Sequence, residues 1–286
     1  MEIPAMKQYK AIFFDWDGTA VLSRKAPVED AVNAMRPLLE KGVKLAIISG
    51  TTYENIAGGK LESYFTPKQL QNLYLGLGRG AYDYGFDEEG KPVLLTDRVP
   101  DAKGILAIHD ACYRIHRVLL EQYGMNTDIV FSRPNYCKID MMPDNNRGDN
   151  LFLQEGEAAK LRRILSSHGV ESIETLIKMA ESFGTEEMLL SATTDAKYLE
   201  VGPTGKCDNA NALFERFGFD AEDCCFWGDE FIGVTDSIFG SDAGMLTEKT
   251  QTGDFFDVSN LEGVRPQQVK RLGGGIQTFL DFLRDQ

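Results

Sequence analysis

The apolar run Ala11-Ile12-Phe13-Phe14 passes without interruption into Asp15-Trp16-Asp17-Gly18-Thr19. No other stretch restricts the fold of this chain so tightly. The run reads as a buried strand of an α/β sheet, and in such sheets ligands bind beyond the carboxyl ends of the strands. On an extended segment the two aspartates, one residue apart, point to the same side. Two anions held that close need a cation or a proton between them. Gly18 permits a sharp turn and a close backbone approach to a ligand, and Thr19 adds a hydroxyl that can open a helix or loop. These residue types, in this order, suit a divalent metal and a phosphate.

The rest of the chain supplies a context for that strand. Helical spacing of Val28, Ala31, Val32, Met35, Leu38 and Leu39 predicts a helix over 27–41, ending at Gly42, with Pro37 a possible kink. Val43–Ile48 reads as a second strand, a short helix follows from Thr52, and Asn72–Leu75 reads as a third strand. Strands joined through helices imply a parallel sheet. From about Gly78 the pattern changes to a strand, a turn and a strand, then a long helix over 101–123. Strands at Asp128–Arg133 and Tyr136–Met142, a polar loop over 144–149, a helix over 154–168 and strands at Met188–Ala192 and Tyr198–Val201 follow. The alternation then resumes with a helix over 206–217, a strand at Cys224–Trp227, a short strand near Gly244-Met245-Leu246 and a closing helix to Leu283. The expected fold class is α/β: a Rossmann-like parallel-sheet core in two parts, 1–82 and 199–286, with an inserted α+β cap domain over 83–198.

Charge narrows the partners. A formal net charge of -14 offers no electrostatic footprint for nucleic acid. It also repels anions, so a phosphate site must be built from local backbone N–H groups, a lysine or arginine, and a metal. No apolar run approaches the ~20 residues of a membrane span, and Met1-Glu2-Ile3-Pro4 lacks the features of a secretory signal. Five cysteines without a C-x-x-C pair argue against a disulfide framework and a structural zinc site. The expectation is a soluble cytoplasmic protein with no membrane partner. Oligomeric state leaves no signature in the sequence.

Asp15-x-Asp17-Gly18-Thr19 after an apolar strand resembles the first motif of the haloacid-dehalogenase-like superfamily of phosphatases and phosphotransferases. Ser49-Gly50-Thr51 after the second strand is similar to the second motif, Lys206 at a helix start to the third, and Gly228-Asp229-Glu230 after the strand Cys224–Trp227 to the fourth. The resemblance implies that Asp15 attacks phosphorus and Asp17 is the general acid/base. It further implies that Ser49, Gly50 and Lys206 bind the phosphoryl oxygens. Asp15, the Asp17 carbonyl and Asp229 would ligate Mg²⁺, with Asp236 as a further ligand or a residue behind the ligands. The candidate ligands are all oxygens, which suits Mg²⁺ better than zinc.

The inserted segment resembles the large α/β cap of cofactor-type sugar phosphatases and phosphomannomutases, with Gly78-Arg79-Gly80-Ala81 at the cap entrance. By that likeness Arg147 is a candidate substrate-binding arginine, a solvent-facing loop position being the simpler alternative. The implied activity is Mg²⁺-dependent hydrolysis of a small phosphorylated metabolite, a sugar phosphate, through an aspartyl-phosphate. The alternatives are a phosphomannomutase-like phosphotransferase and a non-catalytic phosphate-binding regulatory protein.

Overall fold

The computed structural model describes residues 7–131, 133–148 and 153–286. Met1–Pro4, Ser132 in the expected strand Asp128–Arg133 and Asp149 in the expected polar loop lie outside the described residues. In chain order the elements are β1 (Ala11–Phe14), α1 (Glu29–Lys41), β2 (Lys44–Ile48), α2 (Pro67–Leu70), β3 (Leu73–Leu77), β4 (Tyr82–Phe86) and β5 (Pro92–Asp97). Next come α3 (Ala102–Tyr123), β6 (Asp128–Val130), β7 (Cys137–Asp140), α4 (Glu157–Ser167), α5 (Ile173–Ser182), β8 (Ser191–Thr194) and β9 (Tyr198–Gly202). The chain closes with α6 (Lys206–Phe217), β10 (Cys224–Gly228), β11 (Asp254–Asp257), β12 (Val269–Arg271) and α7 (Gly275–Asp285). Two units result: Met1–Arg98 with Gly205–Ile232 and Asp242–Gln286, and Val99–Thr204 with Gly233–Ser241.

The first unit is built on an eight-stranded sheet in the order β12-β11-β10-β1-β2-β3-β4-β5. Pairing is parallel from β12 through β3. Side chains alternate across a strand, and here both faces are covered. Ile12, Phe14, Leu45, Ile47, Cys225, Trp227 and Phe256 share one apolar cluster with α1 and α7. Ala11, Phe13, Ala46, Ile48, Cys224, Phe226 and Phe255 share the other with α6. Two covered faces explain why β1 and β10 carry no polar position. Aromatic stacking reinforces the centre: Phe226 lies 4.7 Å from Phe13 and 4.5 Å from Phe255 between ring centroids. Gly42, at φ 90°, ends α1 in the left-handed conformation, and Pro37 is accommodated within that helix.

Two features differ from the sequence-based expectation. The strand-turn-strand segment placed at the start of the cap belongs to the first unit. β4 pairs antiparallel with β3 and β5 with β4, which covers the β3 edge that would otherwise present unpaired backbone groups. The segment near Gly244-Met245-Leu246 is a 3₁₀ turn, Ser241–Met245; β11 and β12 complete that side of the sheet instead.

The second unit contains an antiparallel sheet in the order β6-β7-β9-β8. Its core is formed by Ile115, Leu119, Ile139, Leu161, Leu165, Leu176 and Leu199 from the sheet and α3, α4 and α5. The strands expected to lead back into the core, near Met188–Ala192 and Tyr198–Val201, pair here as β8 and β9. A late excursion also belongs to it: Val234 and Ile238 of Gly233–Ser241 pack in this core, and Thr235 Oγ1 donates to Glu174 at 2.8 Å.

Candidate active site

Strand register delivers the first groups. Phe14 is paired with Trp227 on one side and Ile47 on the other. The residues just beyond these strands, Asp15, Asp229 and Ser49-Gly50, therefore emerge at one edge of the sheet. Backbone bonds pin them: the Asp15 N–H donates to Trp227 O and the Ser49 N–H to Gly76 O, both at 2.9 Å. Asp15, Asp17 and Ser49 are all buried. The Ser49 hydroxyl accepts from the Thr51 N–H at 3.4 Å.

Glycine is required at two places. Gly18 has φ +91°, and a Cβ there would overlap the Asp229 carboxylate. A Cβ at Gly228 would overlap the carboxylate of Asp242. Thr19 Oγ1 donates to Asp229 Oδ1 at 3.1 Å, so the turn after β1 and the end of β10 are locked through a carboxylate.

Lys206, the first residue of α6, is the hub. Its Nζ donates to Asp15 Oδ1 at 2.7 Å and to Asp242 Oδ1 at 2.6 Å. Asp242, fully buried, accepts from the Glu230 N–H at 2.7 Å through its other oxygen. A lysine at the positive end of a helix dipole is locally unfavourable; two buried carboxylates account for it. Burial opposes the charge on Lys206, yet Asp15 and Asp242 raise its pKa above the ordinary lysine value.

The carboxylates are under-compensated. Burial lifts Asp15 well above the ordinary range despite the attraction of Lys206. Burial, with Asp242, Asp15 and Glu230 adding repulsion, does the same for Asp229. Asp17 is raised by burial against the pull of Arg24 and Lys206, and its Oδ1 is buried without a hydrogen-bond partner. A cation bound by oxygens meets all three observations. Among the described residues no three acidic, histidine or cysteine side chains gather into a preformed metal cage. Mg²⁺ needs none, because it commonly keeps several waters and uses one or two carboxylates. The donor set therefore fits Mg²⁺, with Asp15 and Asp229 as its side-chain candidates.

Two sequence candidates, Asp236 and Arg147, belong to the second unit. Asp236 is exposed and lies in the excursion that folds with the second unit; Asp242, beyond that excursion, is the acid beside Lys206. Arg147 is buried rather than solvent-facing. Its guanidinium bonds Glu157 through Nε and NH2 and Asp195 through NH1, the shortest contacts being 2.5 Å.

Sequence reasoning also missed Asn209 on α6. Fully buried, it accepts from the Gly80 N–H at 2.8 Å and donates to Tyr82 O and Asp83 Oδ1. It thereby ties the helix bearing Lys206 to β4. The signal available for Asp242 was an acid bracketed by Ser241 and Gly244 at the start of a turn.

No protein-family model and no curated protein sequence matches the chain. Solved structures do. The N-terminally truncated IMP-nucleotidase of Plasmodium falciparum superposes with a TM-score of 0.59 at 15% identity, covering 98% of this chain and 70% of that one. The sucrose-phosphatase of Synechocystis superposes with a TM-score of 0.52 at 13% identity, covering 97% and 98%. Among the described residues no helix is long and apolar enough to cross a membrane. Parallel core sheet, interrupting α/β insertion and structural likeness agree: the chain has the fold of the haloacid-dehalogenase-like phosphatases of the cap-bearing type.

Proposed function

We propose that the protein is a Mg²⁺-dependent phosphatase that hydrolyses a small phosphorylated metabolite, a sugar phosphate, through an aspartyl-phosphate on Asp15. The observation that carries this reading is the Lys206 ammonium shared between Asp15 and Asp242 at the carboxyl edge of a parallel sheet. Oδ1 of Asp15 is held by Lys206, which leaves Oδ2 to attack phosphorus. The Ser49 hydroxyl, the Gly50 N–H and Lys206 provide donors for the phosphoryl oxygens, the arrangement needed where charge develops in the transfer. Bound Mg²⁺, held by Asp15, the Asp17 carbonyl and Asp229, would neutralise carboxylate and phosphoryl charge as a Lewis acid.

Asp17 protonates the departing ester oxygen. Burial raises its pKa, the direction a general acid needs. Once deprotonated, the same carboxylate takes a proton from water as water attacks the aspartyl-phosphate. Asp242 replaces Asp236 as the acidic residue that supports this chemistry, by fixing Lys206. The names of the fold neighbours, a nucleotidase and a sucrose-phosphatase, accord with a phosphate monoester substrate.

The test is release of inorganic phosphate from p-nitrophenyl phosphate and a panel of sugar phosphates, with Mg²⁺ and with chelator. Activity should require the metal, and Asp15→Asn should lose about 10⁴-fold or more. Metal-independent turnover, or an active Asp15→Asn variant, overturns the reading. Transfer of the phosphoryl group to a sugar acceptor instead of water would identify a phosphotransferase.

A further inference from the structure

Helix α3 buries only one of its sides. Ile108, Ala111, Cys112, Ile115 and Leu119 enter the core of the second unit. A surface helix ordinarily turns polar residues the other way. Here Leu106, Tyr113 and Leu120 stand outward, 61%, 54% and 47% exposed. Consecutive members are seven residues apart, so the three share one stripe along the helix. His109 adjoins that stripe, and its ring packs 4.5 Å from Phe131, itself 56% exposed. Scattered apolar residues are normal on a surface, but a continuous patch marks an interaction site. α3 has 22 residues, is capped by Asp101 and ends at Gly124, so the stripe runs on a helix about 33 Å long.

Charge identifies the occupant. The chain carries a formal net charge of -14, so two copies repel unless their contact is locally balanced. The flank beside this stripe is balanced: Lys103, Arg114 and Arg117 alternate with Asp110 and Glu121, all exposed. With a second α3 set antiparallel about a two-fold axis at Tyr113, Leu106 faces Leu120 of the second copy and Tyr113 faces Tyr113. Asp110 then falls beside Arg117 of the second copy, twice over. Arg117 holds Glu121 of its own helix through Nε and NH2, and NH1 is left for that contact. In a parallel pair the flanks bearing Asp110 and Arg117 lie on opposite sides of the seam, and the complementarity is lost. We infer that the protein forms a homodimer through the outer face of α3, with the two helices antiparallel. Such a contact is self-complementary and closes at two copies.

Sedimentation equilibrium of the full chain measures the dimer dissociation constant, which should lie in the micromolar range or below. Tyr113→Glu should raise it roughly thirtyfold or more, the loss expected for a central aromatic anchor. Asp110→Arg and Arg117→Asp should each weaken the dimer, and the combined exchange should restore it, because opposite charges meet again. Cross-linking reads the register. Under diamide, Tyr113→Cys should link to its own copy, whereas Leu106→Cys should link only when mixed with Leu120→Cys, neither link occurring in the parent protein. All of these positions are exposed, and the charge exchange and the cross-links decide the matter even where Tyr113→Glu fails to fold. A protein that stays monomeric at all concentrations, a dimer indifferent to Tyr113→Glu, or Leu106→Cys linking to itself, the mark of parallel pairing, overturns the inference.

Discussion

Replacing Arg147 by alanine should damage the second unit's stability rather than substrate choice. Its guanidinium contacts both carboxylate oxygens of Glu157, the Asp195 carboxylate at 2.5 Å and the Asp195 carbonyl at 2.9 Å. Both Arg147 and Glu157 are buried, so truncation strands a carboxylate away from water. Removing one partner of a buried pair costs about 3–5 kcal/mol. At about 2–4 °C per kcal/mol, the melting temperature should fall by roughly 6–20 °C.

The two acids respond differently to pH. For Glu157, burial raises the pKa but bonds from Arg147 and the Gln154 N–H outweigh it and hold it below the ordinary range. Its ionisation thus stabilises the fold above the unfolded-state pKa, and this contribution disappears as pH falls through the lowered folded value. Burial leaves Asp195 raised despite Arg147, so its ionisation opposes folding as pH rises through the ordinary range. Thermal unfolding of Arg147→Ala at neutral pH, followed by circular dichroism and limited proteolysis, is the assay. A parental melting temperature combined with a weakened KM would refute the structural role and restore Arg147 as a substrate ligand.

Asp242→Asn should lower activity about 10–100-fold, as losses behind a catalytic group commonly do, because an amide N–H would face Lys206 Nζ. Asp236→Asn should leave steady-state rates nearly unchanged; the reverse pattern would return Asp236 to the site. Mg²⁺ affinity should fall on acidification, with protons released on binding, because metal ligation needs the ionised carboxylates and burial raises both Asp15 and Asp229 in the metal-free protein. Calorimetry in buffers of different ionisation enthalpy measures that release, and pH-independent binding without it would contradict the ligand assignment. Asp17→Asn should slow alkyl phosphates more than p-nitrophenyl phosphate, whose leaving group needs no proton; equal losses would remove Asp17 as the acid.

The ends of β1, β2 and β10 were legible because a strand covered on both faces must be apolar, and each apolar run stops where the polar site begins. The edge hairpin was not: β5 is largely exposed and shows no core pattern, so nothing in its sequence says which sheet it joins. Helix α5 had a signal that went unread, with Ser172 capping it and Ile173, Leu176 and Ala180 buried at helical spacing. Asp242 was hidden for a topological reason. The chain leaves β10, places Gly233–Ser241 in the other unit and only then returns, so proximity along the sequence favoured Asp236. The burial of Arg147 was hidden because a glycine-containing polar stretch looks solvated, and one of its partners, Asp195, lies far along the chain.

The nucleophilic role of Asp15 is tested most directly by trapping. Protein quenched in acid during turnover of p-nitrophenyl phosphate with Mg²⁺ is reduced with borohydride, digested and sequenced by mass spectrometry. Borohydride converts an aspartyl-phosphate to homoserine, and the conversion should fall on residue 15, depend on substrate and vanish in Asp15→Asn. Turnover without conversion at Asp15, or conversion at another carboxylate, would contradict it.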